Sequence, residues 1–411
     1  MRLPFGWSDR LRGEALIVLL SRMSNAVAGF ALVLITARAL GPEGRGEIAL
    51  VFTIAWATTN LADLGTHTSG RLRLLQGDGT IGPLDVLRLT VALLPFQVVL
   101  ASGAVLVVSA FSIQFSWAFG LSAVLLSAST MAFNSMVFLH YGLRRYGAVL
   151  AAECVIAVLE IVGIIGLWYS GDLSSTTAVL VMAVVPAAGA LWLGARSRTG
   201  ASGRGAAQHP WRELVIDGFS PMLGSISLFI ALRIDRILLA VAAGARSVGL
   251  FTIALAIPET LRIFPKAFGQ VIADRGRSGL DSVPSVRRSI MRFTAAHWLV
   301  LGVSVVVGYQ VLPVVFGDGF REARDILIVV TLAEALLCIH LMYQAVLVAF
   351  ARPVGIGVPQ VVGAVVVGTL DLVMIPTWGL QGAAWACVIG YGALALTSVR
   401  WADRELRRAS P

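Results

Sequence analysis

The sequence predicts an all-α polytopic membrane protein with about twelve transmembrane helices in two six-helix lobes. Hydrophobic residues make up 57% of its 411 residues and charged residues only 13%, whereas soluble domains carry about 25% charged residues. Apolar runs of about 20 residues, long enough to cross about 30 Å of hydrocarbon, recur along the whole chain. A short turn motif also recurs, which indicates an internal duplication.

The turn motif lies at residues 38–47, between the apolar runs 16–37 and 48–62. Its glycines and proline do not continue a helix, so they predict a tight turn between two helices. These residues are Gly41, Pro42, Gly44 and Gly46. A related turn at 243–249 follows at an offset of 203 residues, which pairs Gly41 with Gly244 and Gly46 with Gly249.

The hydropathy pattern places twelve spans along the chain. They cover residues 14–39, 46–68, 84–111, 116–140, 147–169, 176–195, 213–241, 249–272, 288–314, 325–349, 354–375 and 379–400. Pro186 interrupts the sixth span, and Pro258 and Pro265 interrupt the eighth. We expect the two prolines of the eighth span to kink it.

The net charge of +9 comes from arginines together with one lysine, Lys266. The arginines concentrate in the loops on one side of the predicted spans. The opposite side carries only Arg45, Arg246, Arg321 and Arg324. This asymmetry is the positive-inside pattern, so it places both termini in the cytoplasm and reflects topology rather than nucleic-acid binding.

A basic, Gly- and Ser-rich linker at 196–212 divides the chain into an N-terminal lobe at 1–195 and a C-terminal lobe at 213–411. Each lobe holds six spans, and because six is even, both lobes enter the membrane from the same side. The repeat is therefore predicted to be parallel, with a pseudo-two-fold axis along the membrane normal. Transporters built in this way rock one half against the other around a central cavity.

The sequence contains no motif of a soluble enzyme. It lacks a phosphate-binding loop, a hydrolase nucleophile elbow and a zinc-protease HExxH motif, so we predict that it is not an enzyme. Cys154, Cys338 and Cys387 all lie in apolar runs without metal-ligand spacing, so we expect no metal and no cofactor.

Several segments resemble a known family, in order along the chain. They are Ala-Arg-Ala-Leu-Gly-Pro-Glu-Gly-Arg-Gly at 37–46 with Ala-Asp-Leu-Gly at 62–65, Arg-Ile-Asp-Arg-Ile-Leu-Leu at 233–239, Val-Phe-Gly-Asp-Gly-Phe at 315–320, and Ile-Pro-Thr-Trp-Gly-Leu-Gln-Gly-Ala-Ala-Trp-Ala at 375–386. Together they resemble the polysaccharide (O-antigen, Wzx-type) flippases of the multidrug/oligosaccharidyl-lipid/polysaccharide exporter superfamily.

The resemblance implies two six-helix lobes around a V-shaped cavity and a place in the bacterial cytoplasmic (inner) membrane. It implies alternating-access transport of undecaprenyl-pyrophosphate-linked glycans to the outer leaflet for polysaccharide export, alongside polysaccharide-assembly enzymes. Coupling to H+ or Na+ is a further expectation. Two alternatives stay open: a cation-coupled drug or small-molecule antiporter of the same superfamily, and a membrane-embedded polysaccharide-assembly enzyme.

Charged residues inside the predicted spans are the candidate substrate site, because an ionised side chain at mid-bilayer costs about 2.5–3.5 kcal/mol on insertion scales. The candidates for binding the pyrophosphate are Arg22, Asn25, Arg233, Arg236 and Arg262. Their three-residue spacings place Arg22 with Asn25, and Arg233 with Arg236, on one helical face. For Arg22 the alternative is a structural pair with a nearby acid such as Glu153 or Glu160. For the arginines of the seventh span it is an Asp–Arg network that holds the helix to its neighbours.

The 203-residue offset also maps Asp63 of the second span onto Lys266 of the eighth. Equivalent positions can face each other across a two-fold axis, so we expect Asp63 with Lys266 or Arg262 to close the cytoplasmic side of the cavity. The alternative is that Lys266 only reaches the membrane interface. Glu160 and Glu334 are the candidates for ion coupling, against the alternative of ordinary hydrogen bonds between helices.

Overall fold

The computed structural model describes residues 9–77, 79–111, 115–198, 207–277, 283–349 and 353–409. The regular secondary structure in these ranges is helical throughout. The helices are α1 (Asp9–Ala62), α2 (Thr66–Gln76), α3 (Pro83–Phe111), α4 (Trp117–Gly142), α5 (Tyr146–Ser170), α6 (Ser175–Arg198), α7 (Pro210–Leu261), α8 (Ile263–Arg277), α9 (Val283–Phe316), a 3-10 helix (Asp318–Ala323), α10 (Arg324–Ala349) and α11 (Pro353–Ala409).

Three of these helices are broken at a single glycine. Gly41 breaks α1 with φ 68° and ψ −172°, Gly244 breaks α7 with φ 78° and ψ 173°, and Gly379 breaks α11 with φ 54° and ψ −126°. Glycine adopts positive φ without the clash that a Cβ would introduce. Gly41 and Gly244 share nearly the same backbone conformation, in agreement with their pairing by the 203-residue offset.

The predicted turn at 41–46 is wider than the observed break. Pro42, Gly44 and Gly46 lie within the helix that follows Gly41. Proline is tolerated at the first position of a helix because that N–H has no partner inside the helix, so Pro42 begins the new segment without loss. Only Gly41 leaves helical geometry.

The helical segments account for the predicted number of spans. Among the described residues, eight helices are long and apolar enough to cross a membrane, and α1 and α11 are two of them. The breaks at Gly41 and Gly379 divide α1 and α11 into two segments each, which raises the number from eight to ten. The break at Gly244 divides α7, which is not among the eight, into two further segments, so the total is twelve. The prediction of an all-α polytopic membrane protein with about twelve helices is therefore confirmed.

Each half of the chain also contains a second, smaller break. After α1, Leu64 and Gly65 have positive φ values of 52° and 74°, and the short helix α2 follows. After α7, the chain breaks at Arg262 and the short helix α8 follows. The break at Arg262 lies between Pro258 and Pro265, where the sequence predicted a kink.

The chain divides into two compact units. Unit 1 comprises Met1–Ala39, Ile54–Val107 and Phe115–Met222, and unit 2 comprises Leu40–Thr53, Val108–Gln114 and Leu223–Pro411. The predicted boundaries at 195 and 213 stay a prediction, and residues 199–206 of the predicted linker lie outside the described residues.

Each unit has its own apolar core. In unit 1, α4 packs against α2, α5 and α6 around buried residues such as Leu139, Val149 and Leu193. In unit 2, α10 packs against α8, α9 and α11 around Met342 and Val346. These helix bundles are the frame on which the charged residues are held.

Candidate functional site

Three arginines converge on one glutamate in unit 2. Arg233 Nη2 donates a hydrogen bond to Glu259 Oε1. Arg236 Nη2 lies 3.1 Å from Glu259 Oε2, and Arg262 Nη1 lies 3.5 Å from Glu259 Oε1. We call Arg233, Arg236 and Arg262, together with their acids Glu259 and Glu334, the arginine cluster.

The break at Gly244 explains how distant residues of α7 meet. Arg233 and Glu259 are 26 residues apart, which would separate them by about 39 Å along a straight helix with a rise of 1.5 Å per residue. Their direct contact requires α7 to turn back on itself at the glycine. One glycine therefore places the cations of one α7 segment against the acid of the next.

Arg262 forms a second ion pair with Glu334 of α10. Arg262 Nε donates to Glu334 Oε2 at 2.6 Å, and Nη2 donates to Oε1, so the pair is bidentate. The side chains are only 8% and 1% exposed. From the sequence, Arg262 is predicted to bind phosphate and Glu334 to couple transport to an ion, whereas in the structure these two residues form one buried pair.

Arg45 adds a further positive charge to this region. The residue lies in the α1 segment after Gly41, and it is close enough to Glu259 and Arg233 to interact with both electrostatically. Its Nε is buried and has no hydrogen-bond partner among the described residues. From the sequence, Arg45 is expected in an outer loop; its place beside Glu259 and Arg233 was not predicted.

The charge balance of the cluster is positive. Four guanidinium groups, those of Arg45 and the three cluster arginines, face the carboxylates of Glu259 and Glu334. The excess of these four guanidinium groups remains positive when Asp235 is also ionised, and ionisation of both Asp235 and Asp371 would cancel it. Arg233 and Glu259 are 25% and 24% exposed, so they are the accessible part of the cluster, whereas Arg236 is 3% exposed.

Two buried aspartates lie beside the cluster. Asp235 Oδ1 accepts from the backbone N–H of Arg236 at 2.7 Å, and Asp235 Oδ2 accepts from Cys387 Sγ at 3.5 Å. Asp371 of α11 is close enough for its carboxylate to repel that of Asp235. Asp371 is 0% exposed, and neither carboxylate oxygen has a hydrogen-bond partner in the described part of the chain.

Asp63 has several partners within unit 1. Its Oδ1 accepts from Thr66 Oγ1 at 2.8 Å and from the backbone N–H of His67 at 3.0 Å. His67 Nε2 lies 3.2 Å from the same oxygen and also contacts Ser135 Oγ. These contacts hold the break between α1 and α2. The predicted gate between Asp63 and Lys266 stays a prediction; Lys266 itself is exposed.

The structure locates the other predicted residues in unit 1 as follows. Asn25 is exposed and Glu160 is partly buried, with no partner among the described side chains. The side chain of Arg22 lies outside the described residues. The neighbouring Ser21 donates a hydrogen bond to the buried Glu153, one of the acids considered as a structural partner for this face of α1.

No family model matches the chain, and no curated protein matches it. Its structure is nevertheless similar to several solved transporters. One is an inward-facing multidrug resistance MATE family transporter of the MOP superfamily, with a TM-score of 0.69 and 15% identity over 97% of this chain and 100% of that chain. The chain has the fold of the MOP-superfamily transporters.

Two further structures share the MOP fold. The lipid II flippase MurJ, in an inward closed conformation, has a TM-score of 0.66 and 11% identity over 96% of this chain and 89% of that one. A MOP superfamily transporter from Pyrococcus furiosus, described by the reverse polarity of its binding pocket, has a TM-score of 0.63 and 14% identity over 95% and 94%. The neighbours with the MOP fold are thus transporters and flippases, and this chain is a multi-pass membrane protein.

Proposed function

We propose that the chain is a flippase for undecaprenyl-pyrophosphate-linked oligosaccharides, working by alternating access in polysaccharide export. The observation that carries the proposal is the excess of guanidinium groups over glutamate carboxylates in the arginine cluster together with Arg45. Guanidinium groups bind pairs of phosphate oxygens in a fork geometry, which suits a pyrophosphate. The fold shared with a lipid II flippase supports a lipid-linked substrate.

A positively charged site addresses the main barrier to this reaction. Each unpaired hydroxyl of a sugar costs several kcal/mol, about 4–8 on the water-to-cyclohexane scale, when it is buried in hydrocarbon. A hydrated cationic cavity removes most of this cost, while the prenyl tail stays in the lipid. The inside-negative potential favours outward movement of the anion by about 2.3 kcal/mol per charge per 100 mV.

For ion coupling, we infer that Asp371 is a better candidate than Glu334. The carboxylate of Glu334 is engaged by Arg262, whereas both oxygens of Asp371 are buried without a hydrogen-bond partner among the described residues. A second carboxylate, Asp235, lies nearby. A bound proton or Na+ would relieve the repulsion between the two acids. Glu160 stays the candidate in unit 1.

The remaining features of the proposal come from the sequence. Both termini are placed in the cytoplasm of a bacterial inner membrane, and polysaccharide-assembly enzymes are the expected partners. Arg22 and Asn25 would extend the phosphate site onto α1, and Asp63 with Lys266 would gate the cytoplasmic side. We expect Arg22→Ala to stop translocation while leaving membrane insertion intact.

The second candidate function is a cation-coupled antiporter for drugs or small molecules. Two observations favour it: the buried pair Asp235 and Asp371, and the fold shared with MATE transporters. A cationic drug would be repelled by the excess guanidinium charge, so we rank it second. A membrane-embedded assembly enzyme ranks third because the sequence lacks a catalytic motif.

A deletion strain tests the proposal. A strain lacking this chain should accumulate lipid-linked sugar in the inner leaflet of its cytoplasmic membrane, and the wild-type chain should reverse the accumulation. The Arg233→Gln chain should be inserted equally well and should not reverse it. Normal export of the glycan in the deletion strain, with increased drug sensitivity, would favour the antiporter instead.

A further inference from the structure

Glu259 is the acid that the two α7 arginines of the cluster share. Its Oε1 accepts a hydrogen bond from Arg233, and its Oε2 accepts one from Arg236 Nη2 at 3.1 Å. The side chain of Glu259 is 24% exposed, against 1% for Glu334, the second acid of the cluster. Glu259 is therefore the carboxylate of the cluster that a molecule in the site can reach.

The helical hydrogen bonding is interrupted on both sides of Glu259. Pro258 precedes it and Pro265 follows it, and neither proline has a backbone N–H to donate. Between them, the N–H of Arg262 donates to the carbonyl oxygen of Glu259 at 3.2 Å, three residues back instead of the four of an α-helix. Helices bend at breaks of this kind. A small bend here moves the Glu259 carboxylate relative to the arginines of the preceding α7 segment.

The third arginine of the cluster does not depend on Glu259. Arg262 donates to both oxygens of Glu334, whereas its contact with Glu259 is the longer one at 3.5 Å. Arg233 and Arg236 instead donate charge-assisted hydrogen bonds to Glu259. Phosphate oxygens accept such bonds from guanidinium groups in the same geometry. A phosphate group that enters the site therefore competes with Glu259 for these two arginines.

Two donors beside this contact have no acceptor. The Nε atoms of Arg45 and Arg236 are buried and have no hydrogen-bond partner among the described residues. Buried donors of this kind are rare in native structures, so each needs an explanation. A pyrophosphate carries more acceptor oxygens than one carboxylate does, so it can satisfy donors that Glu259 leaves without a partner. Because both Nε atoms are buried, it reaches them only after the cluster has opened.

We infer that Glu259 is an internal competitor of the transported anion. The inference rests on the proposed function and describes how the same site is emptied. Glu259 occupies Arg233 and Arg236 in the empty site, pyrophosphate displaces it, and its return to the two arginines releases the anion. The apparent affinity for the anion falls by the fraction of sites in which the competitor has left. This matters because tight binding is mostly slow dissociation, and a carrier must release its substrate.

Binding of sodium pyrophosphate to the purified full-length protein, measured by isothermal titration calorimetry, is the first test. Glu259→Gln should bind about tenfold more tightly than wild type, since the competing carboxylate no longer holds the arginines. Glu322→Gln is the control for charge, because it removes an equal charge from an exposed pair with Arg246, and it should bind as wild type does.

A second variant separates direct competition from a general change of charge. Glu259→Asp keeps the negative charge but is one methylene shorter, so its carboxylate reaches the two arginines less well. It should bind pyrophosphate more tightly than wild type and less tightly than Glu259→Gln. Because it retains the charge, it also serves as the test if Glu259→Gln does not fold.

Transport of a labelled undecaprenyl-pyrophosphate-linked sugar into vesicles is the second readout. Glu259→Gln should lower KM and the maximal rate together, by about tenfold each, because the substrate is bound more tightly and released more slowly. A residue with only a structural role would not lower KM.

The failure of this inference is distinguishable from the failure of the proposed function. If wild type binds pyrophosphate more tightly than Arg233→Gln does, and folded Glu259→Asp binds it only as wild type does, the inference is overturned and the proposed function stands. If neither wild type nor either Glu259 variant binds pyrophosphate, the proposed function is wrong and the inference is wrong with it.

Discussion

Gly46 and Gly249 lie in backbone contact with each other's helical segments. A Cβ built on Gly46 would lie 1.8 Å from the carbonyl oxygen of Ala245, and a Cβ built on Gly249 would lie 1.9 Å from that of Pro42. The 203-residue offset that pairs Gly46 with Gly249 also pairs Pro42 with Ala245. The contact is therefore reciprocal, as in the interface of a two-fold dimer. Small residues allow such close approach of helices in membranes.

This contact predicts that a methyl group is not tolerated at either glycine. Gly46→Ala and Gly249→Ala should each destabilise the protein by about 1–3 kcal/mol, because the backbone must move to admit the Cβ. Thermal unfolding of the purified variants measures the effect. Gly103→Ala is the control, since no atom lies within 4 Å of its Cβ position. Equal stability of Gly46→Ala and Gly103→Ala would contradict the close approach.

The pair Arg262 and Glu334 predicts an asymmetry between single and double substitutions. Glu334→Gln should cost about 3–5 kcal/mol, because it removes the bidentate carboxylate of a buried guanidinium, which keeps only its longer 3.5 Å contact with Glu259. Arg262→Met/Glu334→Leu should retain most of the stability, because hydrophobic replacement of a buried pair is often neutral. Chemical denaturation measures both. If the double variant folds and still translocates substrate, Arg262 has a structural role only.

Asp371 predicts a cation-dependent stability. Wild type should become more stable as Na+ is added, or as the pH falls if the ligand is a proton, since either cation relieves the repulsion with Asp235. Asp371→Asn should be at least as stable as wild type without the cation and should lose the dependence. Thermal unfolding over a range of Na+ and pH measures this. The double variant Arg262→Met/Glu334→Leu is the control, because it removes a different buried acid. If that variant loses the dependence of stability on the cation and Asp371→Asn keeps it, Asp371 is not the coupling residue.

The predicted gate is tested by charge reversal. Asp63→Arg removes the carboxylate that accepts from Thr66 and His67, so it should impair function on its own. Adding Lys266→Asp should restore translocation if the two residues form a gate. Transport in reconstituted vesicles is the readout. If Lys266→Asp restores no activity to Asp63→Arg, the two residues do not form a gate. Asp63 then has only the structural role at the start of α2.

The sequence was sufficient for the fold but not for the ion pairs. Apolar runs and helix-breaking glycines are local signals, so the span count and the equivalence of Gly41 and Gly244 could be predicted. The partner of a charge is not a local property. Glu334 pairs with Arg262, which is 72 residues away in the sequence. Arg45 interacts electrostatically with Glu259, which is more than 200 residues away.

The choice between the acids Glu334 and Asp371 also depends on contacts between distant parts of the chain. Spacing alone does not distinguish a carboxylate held by an arginine from one without a hydrogen-bond partner, so the sequence led to Glu334 and not to Asp371 as a candidate for ion coupling. Only the packing of α7, α10 and α11 separates them: Glu334 lies in a bidentate pair, whereas the oxygens of Asp371 have no hydrogen-bond partner among the described residues.

The most direct test is translocation of a labelled undecaprenyl-pyrophosphate-linked sugar across vesicles that contain the purified protein. We predict that Arg233→Gln, at the accessible arginine of the cluster, lowers the initial rate by about tenfold, which corresponds to 1.4 kcal/mol. Arg246→Gln, at an exposed ion pair with Glu322, should leave the rate unchanged. An Arg233→Gln rate equal to wild type, or transport of a cationic drug without transport of the lipid, would contradict a phosphate-binding arginine cluster.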